Sequence, residues 1–417
     1  MRDAEARNIL IANDRGGYTV PNGRVYPFQW NWDSAFVALG FATFDRDRAW
    51  VEIETLFKAQ WTDGFLPHIV FWQDDPGYFP GPERWASGTD PLTSGITQPP
   101  VAATVVRALW DQGGAEDRPR LEALFPKLMA WHRWFWRYRD RSGQGLVVAL
   151  HPWETGRDNS PEWDRPGAAI DASHVAPYVR RDTSHLDASM RPTALEYDRY
   201  VALVDFGRER GWDHARIAAE NPFQVADVGL TMILLRADRD LLALAEVLGR
   251  EDDASDLRER IALAEQGVDW LWNEEVGAYG SRDLLTGEPS GFITSASFLS
   301  FYAGLKHPDR DARLLGHLDR IGARIKYLTP SLDPADPGFD MMRYWRGPVW
   351  AVVNYMIGQG LAETGHGAMA ERVRSDTRDL IQTSGFYEAF DPTSGAPTGG
   401  DDFSWTAAIW LCWAGRG

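Results

Sequence analysis

Residues 224–272, QVADVGLTMILLRADRDLLALAEVLGREDDASDLRERIALAEQGVDWLW, contain the pattern that decides the fold. Apolar residues recur at i, i+3, i+4 and i+7 on both sides of the turn Gly249-Arg250-Glu251-Asp252, which predicts helices over residues 224–248 and 255–272. Because the turn is so short, the two helices are expected to run antiparallel and to pack as a hairpin.

The same helical period extends along the whole chain. The other predicted helices span residues 3–12, 33–60, 96–110, 121–138, 192–209, 294–303, 312–325, 348–360, 368–381 and 402–413. Short turns alternate with long connections over residues 61–95, 142–191 and 327–347. About twelve helices joined in this way predict an all-α fold, an (α/α)6 barrel whose long loops gather on one face. No Ser/Gly-rich or charge-block linker divides the chain, so residues 1–417 are predicted to form a single domain.

The long connections are rich in aromatic residues. Loops longer than about 15 residues are usually functional or disordered, and so many aromatic side chains argue against disorder. Several of the 20 tryptophans fall in loops or at helix starts, namely Trp30, Trp32, Trp61, Trp72, Trp85, Trp153, Trp163 and Trp345. An aromatic ring matches the apolar C–H face of a pyranose, which predicts a sugar-binding platform. Packing in a large helical core is the alternative.

Composition restricts the binding partners and the cellular compartment that can be expected for this protein. Lys+Arg 43 against Asp+Glu 60 give a net charge of -17, which argues against binding to nucleic acid or to an anionic membrane. The single cysteine, Cys412, lies in an apolar run and is expected to fill core space. The first residues are acidic where a signal peptide is basic, and no apolar stretch reaches the roughly 18 residues of a membrane span. We therefore expect a cytoplasmic protein, and a homo-oligomer remains open.

Two turn-rich segments each present a carboxylate among aromatic and small polar residues. They are WETGRDNS (153–160), which contains Asp158, and GFYEAFDP (385–392), which contains Glu388. Hydrolysis of a glycosidic bond needs two such groups, an acid that protonates the leaving oxygen and a partner that activates water or attacks the anomeric carbon. The alternatives are structural: Asp158 would cap a helix or close an Asx-turn, and Glu388 would pair with an arginine.

Further polar residues are predicted to face the same pocket. Asp33, in YPFQWNWDS (26–34), would bind a sugar hydroxyl or cap the following helix. His68 and Gln98 follow turns, and Arg343 and Arg346 stand among aromatic residues just before a helix. No His or Cys lies at metal-ligand spacing near His68, so neither a metal nor a cofactor is predicted.

Six motifs together resemble glycoside hydrolase family 63. They are QWNWD (29–33), GFLPH (64–68), GITQPP (95–100), WETGRDNS (153–160), YWRGPVW (344–350) and GFYEAFDP (385–392). Within that family the compact chain is similar to the bacterial mannosylglycerate and glucosylglycerate hydrolases. It lacks the large β-rich domain of the family's eukaryotic processing α-glucosidase, so a small glycoside is the expected substrate.

The resemblance implies an (α/α)6 barrel and an inverting α-glycosidase. It makes Asp158 the general acid and Glu388 the general base. Around the sugar it places Tyr26, Trp30, Trp32, Asp33, His68, Gln98, Tyr344, Trp345 and Trp350.

An inverting mechanism sets physical requirements for both carboxyl groups. Asp158 has to be protonated, so we expect burial against Trp153 and neighbouring aromatics to raise its pKa. Glu388 has to be ionised and to stand roughly 6.5–9.5 Å from Asp158, which leaves room for one water.

A glycerate leaving group adds a requirement, because its carboxylate has to enter a protein of net charge -17. Arg191 is the candidate cation, with Tyr197 near it in sequence. Arg157 and Arg343 are alternatives, and a surface ion pair is an equal reading for each arginine.

Two other classes of function remain open. One is a different (α/α)6 catalyst, such as a trehalase-like or glucoamylase-like hydrolase or a phosphorylase, acting on a neutral disaccharide. The other is a sugar-binding protein without catalysis, against which the presence of both carboxylates counts.

Overall fold

Helices make up most of the computed structural model, which describes residues 1–416. The α-helices are α1 (Arg2–Asn13), α2 (Asn31–Phe41), α3 (Arg46–Leu56), α4 (Pro82–Trp85), α5 (Ala102–Gly113), α6 (Arg118–Tyr138), α7 (Asp164–Ala168), α8 (Asp182–His185), α9 (Ala194–Glu209), α10 (His214–Glu220), α11 (Val228–Leu248), α12 (Glu251–Gly267), α13 (Leu299–Tyr302), α14 (Pro308–Gly322), α15 (Ala351–Glu363), α16 (Gly367–Ser384) and α17 (Ser404–Ile409). The strands are β1 (Gln29–Trp30), β2 (Ile69–Phe71), β3 (Leu92–Thr93), β4 (Val148–Ala149), β5 (Val225–Ala226), β6 (Trp272–Asn273), β7 (Ala278–Tyr279), β8 (Arg282–Asp283), β9 (Ala389–Phe390) and β10 (Pro397–Thr398). Over residues 1–416, none of these helices combines the length and the hydropathy that a membrane span requires.

The helical hairpin predicted from residues 224–272 forms. The side chain of Asp227 accepts the Leu230 N–H and so begins α11, and Gly249, with φ +67°, ends it in the left-handed conformation that glycine favours. The turn returns the chain into α12, which packs against α11. Short-range signals therefore fix both ends of α11.

Six helices contact one another in a closed circuit, and we call them the inner helices. Helix α2 packs on α5, α5 on α11, α11 on α13, α13 on α15, α15 on α17, and α17 on α2. The outer helices α3, α6, α12, α16 and α1 pack on α2, α5, α11, α15 and α17 respectively. Every residue of α2 is buried, as a helix enclosed by neighbours on all sides requires.

Two predicted helices differ in the structure. Residues 33–60 were predicted as one helix but form α2 and α3, because the Asp45 side chain accepts the Arg48 N–H at 3.0 Å and starts a new helix there. The prediction over residues 192–209 corresponds to α9, which packs on α4 of the first long loop and not within the circuit of inner helices. The prediction of twelve helices thus joined α2 and α3 into one helix and included α9, which belongs to the loops.

Small antiparallel sheets stiffen the long connections. Strands β1, β2 and β3 form one sheet, in which Gln29 pairs with Val70 and Val70 with Thr93. Strands β4, β5 and β8 form a second sheet, and β9 pairs with β10. These strands leave no pattern in the sequence, because two or three residues are too few to show a two-residue alternation. The fold is therefore mostly helical and not strictly all-α.

The contact between α2 and α17 is close enough to require glycine. A Cβ added at Gly40 would lie 2.7 Å from the Ala408 Cα and 2.9 Å from Leu10 Cδ1. Backbone atoms cannot move aside as a flexible side chain does, so the two helices would have to separate.

We predict that Gly40→Ala lowers the free energy of unfolding by about 1–3 kcal/mol, because it overpacks the α2–α17 contact. The control is Gly316→Ala in the exposed face of α14, where no atom lies within 4 Å of an added Cβ. That change should leave stability equal or raise it by up to about 1 kcal/mol, because alanine favours a helix. Urea denaturation measures both, and equal losses would contradict the close contact.

Candidate active site

A cavity opens at the end of the molecule where inner helices begin. Its walls come from the residues at or just before the N-termini of α2, α5, α15 and α17 and from the long loops. The sequence-predicted residues that line it are Tyr26, Trp30, Trp32, Asp33, His68, Gln98, Trp153, Asp158, Arg191, Tyr197, Tyr344, Trp345 and Glu388. Residues more than 350 positions apart, such as Tyr26 and Glu388, therefore meet in one place.

Asp158 lies in a turn between two short 3-10 segments, Pro152–Thr155 and Pro161–Trp163. The Tyr200 hydroxyl donates to its backbone carbonyl at 2.7 Å. Loss of hydration inside the protein raises the pKa of the Asp158 carboxyl to about 7; the charge of Glu388 adds to this shift, whereas Arg191 and Tyr344 oppose it. The direction is the one that a general acid requires near neutral pH.

Glu388 is buried just before β9, and hydrogen-bond donors surround its carboxylate. The Tyr26 hydroxyl donates to Oε1 at 2.8 Å, and the Gly400 N–H donates to Oε2 at 3.1 Å. Nη1 of Arg191 lies 3.3 Å from Oε1 and 3.4 Å from Oε2. A carboxylate among three donors is an acceptor, which suits a general base.

Gly399 makes room for that carboxylate. A Cβ added there would lie 2.2 Å from Glu388 Oε2, and the residue has φ +78°. The carboxylate of Glu388 therefore fits beside the β9–β10 hairpin only because residue 399 has no side chain.

Asp33 does not act as the N-cap of α2. The N-cap position is Trp30, and Asp33 lies in the first turn as a buried residue that lines the cavity. Burial raises the pKa of the Asp33 carboxyl well above its usual value, and the charges of Glu388 and Asp158 raise it further. Burial and the neighbouring carboxyl groups thus favour the protonated form of Asp33.

His68 and Gln98 present polar groups from neighbouring segments. Burial, and then the proximity of His151, lowers the pKa of His68 well below its usual value, so its imidazole is neutral. Its Nδ1 contacts the Ser94 hydroxyl at 2.5 Å. The side-chain oxygen of Gln98 accepts the Trp32 N–H at 3.3 Å, which leaves the amide NH₂ as a donor.

Two predicted residues lie behind the cavity wall. Trp350 stacks on Trp345 with ring centroids 3.9 Å apart and an interplanar angle of 1°, so it supports the lining ring without joining the lining. Arg346 pairs with Asp164 and with Glu196, and it too stands outside the lining.

The three arginines that could bind a substrate carboxylate differ in whether they line the cavity. Arg157 is buried in a pairing with Glu162 and Asp227, and Arg343 pairs with Glu196. Neither lines the cavity, whereas Arg191 does.

Arg191 is held by groups on several sides. Its Nε donates to Asp182 at 3.1 Å, and Nη2 donates to the Tyr26 hydroxyl at 2.7 Å. The guanidinium stands 3.8 Å from the ring centroid of Tyr344. Although burial would raise it, the pKa of the Asp182 carboxyl is lowered to about 2 by Arg191 and Arg180.

Several lining residues were not predicted from the sequence. They include Tyr78, Phe79, Arg181, Asp182, Phe403 and Trp405. Phe403 and Trp405 belong to the predicted helix 402–413, whose periodicity indicates core packing equally well. The other four lie in the long connections 61–95 and 142–191, whose path no periodic pattern reveals. Among residues 1–416, no group of three His, Cys, Asp or Glu side chains is arranged to hold a metal ion.

Comparison with known families identifies the class of protein. The model of the mannosylglycerate hydrolase MGH1-like glycoside hydrolase domain matches residues 26–406. The chain belongs to this glycoside hydrolase family. The enzyme is therefore a hydrolase of O-glycosyl bonds, and the resemblance that the six motifs indicated is confirmed.

Three similar proteins extend this result. A mannosylglycerate hydrolase of Selaginella moellendorffii is 47% identical over 412 residues, which are 98% of this chain and 84% of that protein. A glucosylglycerate hydrolase of Mycolicibacterium hassiacum is 36% identical over 440 residues, 99% of this chain and 97% of that protein. The crystal structure of the family 63 mannosylglycerate hydrolase of Thermus thermophilus in complex with Tris and D-glycerate has a TM-score of 0.95 at 46% identity and covers 99% of both chains.

A more distant likeness concerns the fold alone. The neutral trehalase of Saccharomyces cerevisiae has a TM-score of 0.62 at 15% identity, covering 94% of this chain and 72% of that chain. The mostly helical architecture is therefore of the α/α-barrel type.

We predict that kcat/KM of this hydrolase falls as the pH rises through about 7. Because the pKa of Asp158 is raised to about 7, the protonated acid is the main form below that pH and decreases about tenfold per pH unit well above it. A pH profile of kcat/KM measures this, with intrinsic fluorescence as the check that the protein stays folded. A flat profile up to pH 9 would contradict the assignment of Asp158 as the acid.

Proposed function

We propose that this enzyme hydrolyses a small α-glycoside, mannosylglycerate or glucosylglycerate or both, to the hexose and glycerate with inversion at the anomeric carbon. The observation that carries the proposal is a single aromatic cavity that contains two carboxyl groups of different character, Asp158 and Glu388, and the buried cation Arg191.

The scaffold we propose is one (α/α)6 barrel made of the whole chain. The closed circuit of six inner helices supports it, as does the packing of outer helices against them. One apolar cluster extends from Ala6 to Ala414, which supports a single domain.

Asp158 is proposed as the general acid. With a pKa of about 7 it retains a substantial protonated fraction at neutral pH and can give its proton to the leaving oxygen as the glycosidic bond breaks. Its conjugate base is then formed near Arg191, whose charge opposes the pKa shift and stabilises the product state.

Glu388 is proposed as the general base. Tyr26, Gly400 and Arg191 donate to its carboxyl oxygens and hold them in place, and the base would take a proton from the water that attacks the anomeric carbon. Attack from the side opposite the leaving group inverts the configuration, so an α-glycoside would yield a β-sugar.

The hexose is proposed to bind among the polar and aromatic lining residues. The buried carboxyl of Asp33 and the amide of Gln98 are suited to hydroxyl groups, and the neutral imidazole of His68 can donate or accept. Trp32 and Trp345 provide ring faces for the C–H groups of a pyranose.

Glycerate is proposed to bind at Arg191. Among the arginines considered from the sequence, Arg191 alone lines the cavity, and Tyr197 lies in the same wall. The related mannosylglycerate and glucosylglycerate hydrolases fit this choice, because their substrates carry a glycerate group. The Thermus thermophilus mannosylglycerate hydrolase has been crystallised with D-glycerate.

We predict that Asp158→Asn and Glu388→Gln each reduce kcat on a glycosylglycerate by about 10²–10⁴-fold, because each removes a positioned acid or base. Asp171→Asn is the control, since Asp171 is an exposed carboxylate of the same long connection. It should retain wild-type turnover. Near-wild-type turnover in either of the first two variants would show that its residue has another role.

We predict that the first product is the inverted anomer. Proton NMR during the initial turnovers should show the β-hexose before mutarotation produces the α form. A first product with the α configuration would refute attack by water from the opposite side.

We predict that Arg191→Ala lowers kcat/KM for a glycosylglycerate about ten- to a hundredfold more than for the neutral glycosylglycerol, because only the former loses a charge-assisted hydrogen bond. Both substrates should lose some rate, since Arg191 also contacts Glu388.

Arg343→Ala is the control for a lost arginine, because Arg343 pairs with Glu196 and does not line the cavity. It should treat the two substrates alike. Equal losses in Arg191→Ala on both substrates would refute the glycerate role while leaving the glycosidase intact.

A further inference from the structure

The residues on either side of the acid point into the protein. Arg157 is 4% exposed and Asn159 is 1% exposed, whereas Asp158 between them lines the cavity. Asn159 Oδ1 accepts the Trp345 N–H at 2.9 Å, which ties the turn to the aromatic wall. The other side of the turn depends on Arg157.

The guanidinium of Arg157 joins two buried carboxylates. Nη2 donates to Asp227 at 2.6 Å, and Nη1 pairs with Glu162. It stands 5.1 Å from the ring centroid of Trp163, whose Nε1 donates to the Arg157 carbonyl at 2.7 Å. Side chain and backbone of the residue before the acid are thus both fixed.

Those carboxylates are themselves attached to rigid elements. Asp227 is the N-cap of the inner helix α11 and accepts the Leu230 N–H. Glu162 accepts the Ser281 N–H at 3.0 Å. The acid turn is therefore fastened through Arg157 to the start of an inner helix and to the segment that enters β8.

We propose that Arg157 is the positioning residue of the general acid: by its pairing with Asp227 at the start of α11, it holds the turn that aims the Asp158 carboxyl into the cavity. This assignment rests on the proposed function. Arg157 therefore does not bind the substrate carboxylate, because its side chain is buried and does not line the cavity.

A looser turn should change the acid in a measurable way. If the turn moves, water reaches the Asp158 carboxyl, and the loss of hydration that raises its pKa becomes smaller. The alkaline limb of activity then shifts to lower pH. Six charged or titratable groups interact with the Asp158 carboxyl, namely Arg191, Glu388, Asp33, Tyr344, Tyr78 and Tyr200. A substitution at Arg157 or Asp227 changes none of these six residues.

The test compares three variants of the full chain. Arg157→Lys keeps the charge but loses the two-sided pairing, and Asp227→Asn removes one anchor. The matched control is Asp238→Asn, which lies in the same helix eleven residues further on, about 16 Å away along the axis. Asp238 is also buried and pairs with His132 at 2.6 Å, so the control loses a comparable contact.

Two substrates distinguish a misplaced general acid from a general loss of catalytic activity. A glycosylglycerate needs its leaving oxygen protonated, whereas the matching α-glycosyl fluoride releases fluoride, a weak base that needs little help from an acid. For Arg157→Lys and Asp227→Asn we expect kcat on the glycosylglycerate to fall at least about tenfold at pH 7.5, with a change of less than about threefold on the fluoride. The pH at which activity falls to half on the alkaline side of the profile should move down by about one pH unit.

Asp238→Asn should lower the melting temperature without moving the midpoint or the ratio between substrates. The proposal is overturned if Asp227→Asn or Arg157→Lys, once folded, keeps the wild-type midpoint and substrate ratio, or if Asp238→Asn shifts them equally. If Arg157→Lys does not fold, Asp227→Asn decides alone. Failure of the proposed function would look different, because the wild-type enzyme would then fail to hydrolyse the glycosylglycerate, whether or not it hydrolyses the glycosyl fluoride.

Discussion

The packing of α17 against α2 is the contact on which the site depends. Gly40 lets the two helices approach until their backbones touch, and this closes the circuit of inner helices. The same contact brings the segment before α2 to the hairpin that carries Glu388. The hydrogen bond from Tyr26 to Glu388 joins residues 362 positions apart in the chain.

Four carboxyl groups, those of Asp33, Asp158, Asp182 and Glu388, line the cavity with two arginines, Arg181 and Arg191. Burial raises the pKa of Asp33 well above its usual value and that of Asp158 to about 7, whereas Arg191 and Arg180 hold the pKa of Asp182 at about 2. The cavity therefore carries less negative charge than its composition suggests. In a protein of net charge -17 this is the condition under which an anionic substrate can approach Arg191.

Local signals in the sequence predicted the helices well but not the arrangement of the loops. The glycine at 249 marked the C-terminal end of α11, but the predicted start at residue 224 preceded the cap at Asp227, and the cap at Asp45 was hidden inside a continuous apolar pattern. The motifs contain both proposed catalytic residues and part of the cavity lining. They did not reveal Arg181 or Asp182, because a loop's path is set by contacts distant in sequence. Arg157 was weighed as a ligand, and only the fold could show that its side chain faces the start of α11.

The separation of the two proposed catalytic groups along the chain has a consequence for biosynthesis. Asp158 leaves the ribosome long before Glu388, and Gly400, which donates to Glu388, follows later still. A nascent or truncated polypeptide that ends before Glu388 would thus hold the proposed proton donor without the proposed base. Under the proposed mechanism such a chain would be inert, and turnover would report on a molecule whose synthesis is nearly complete.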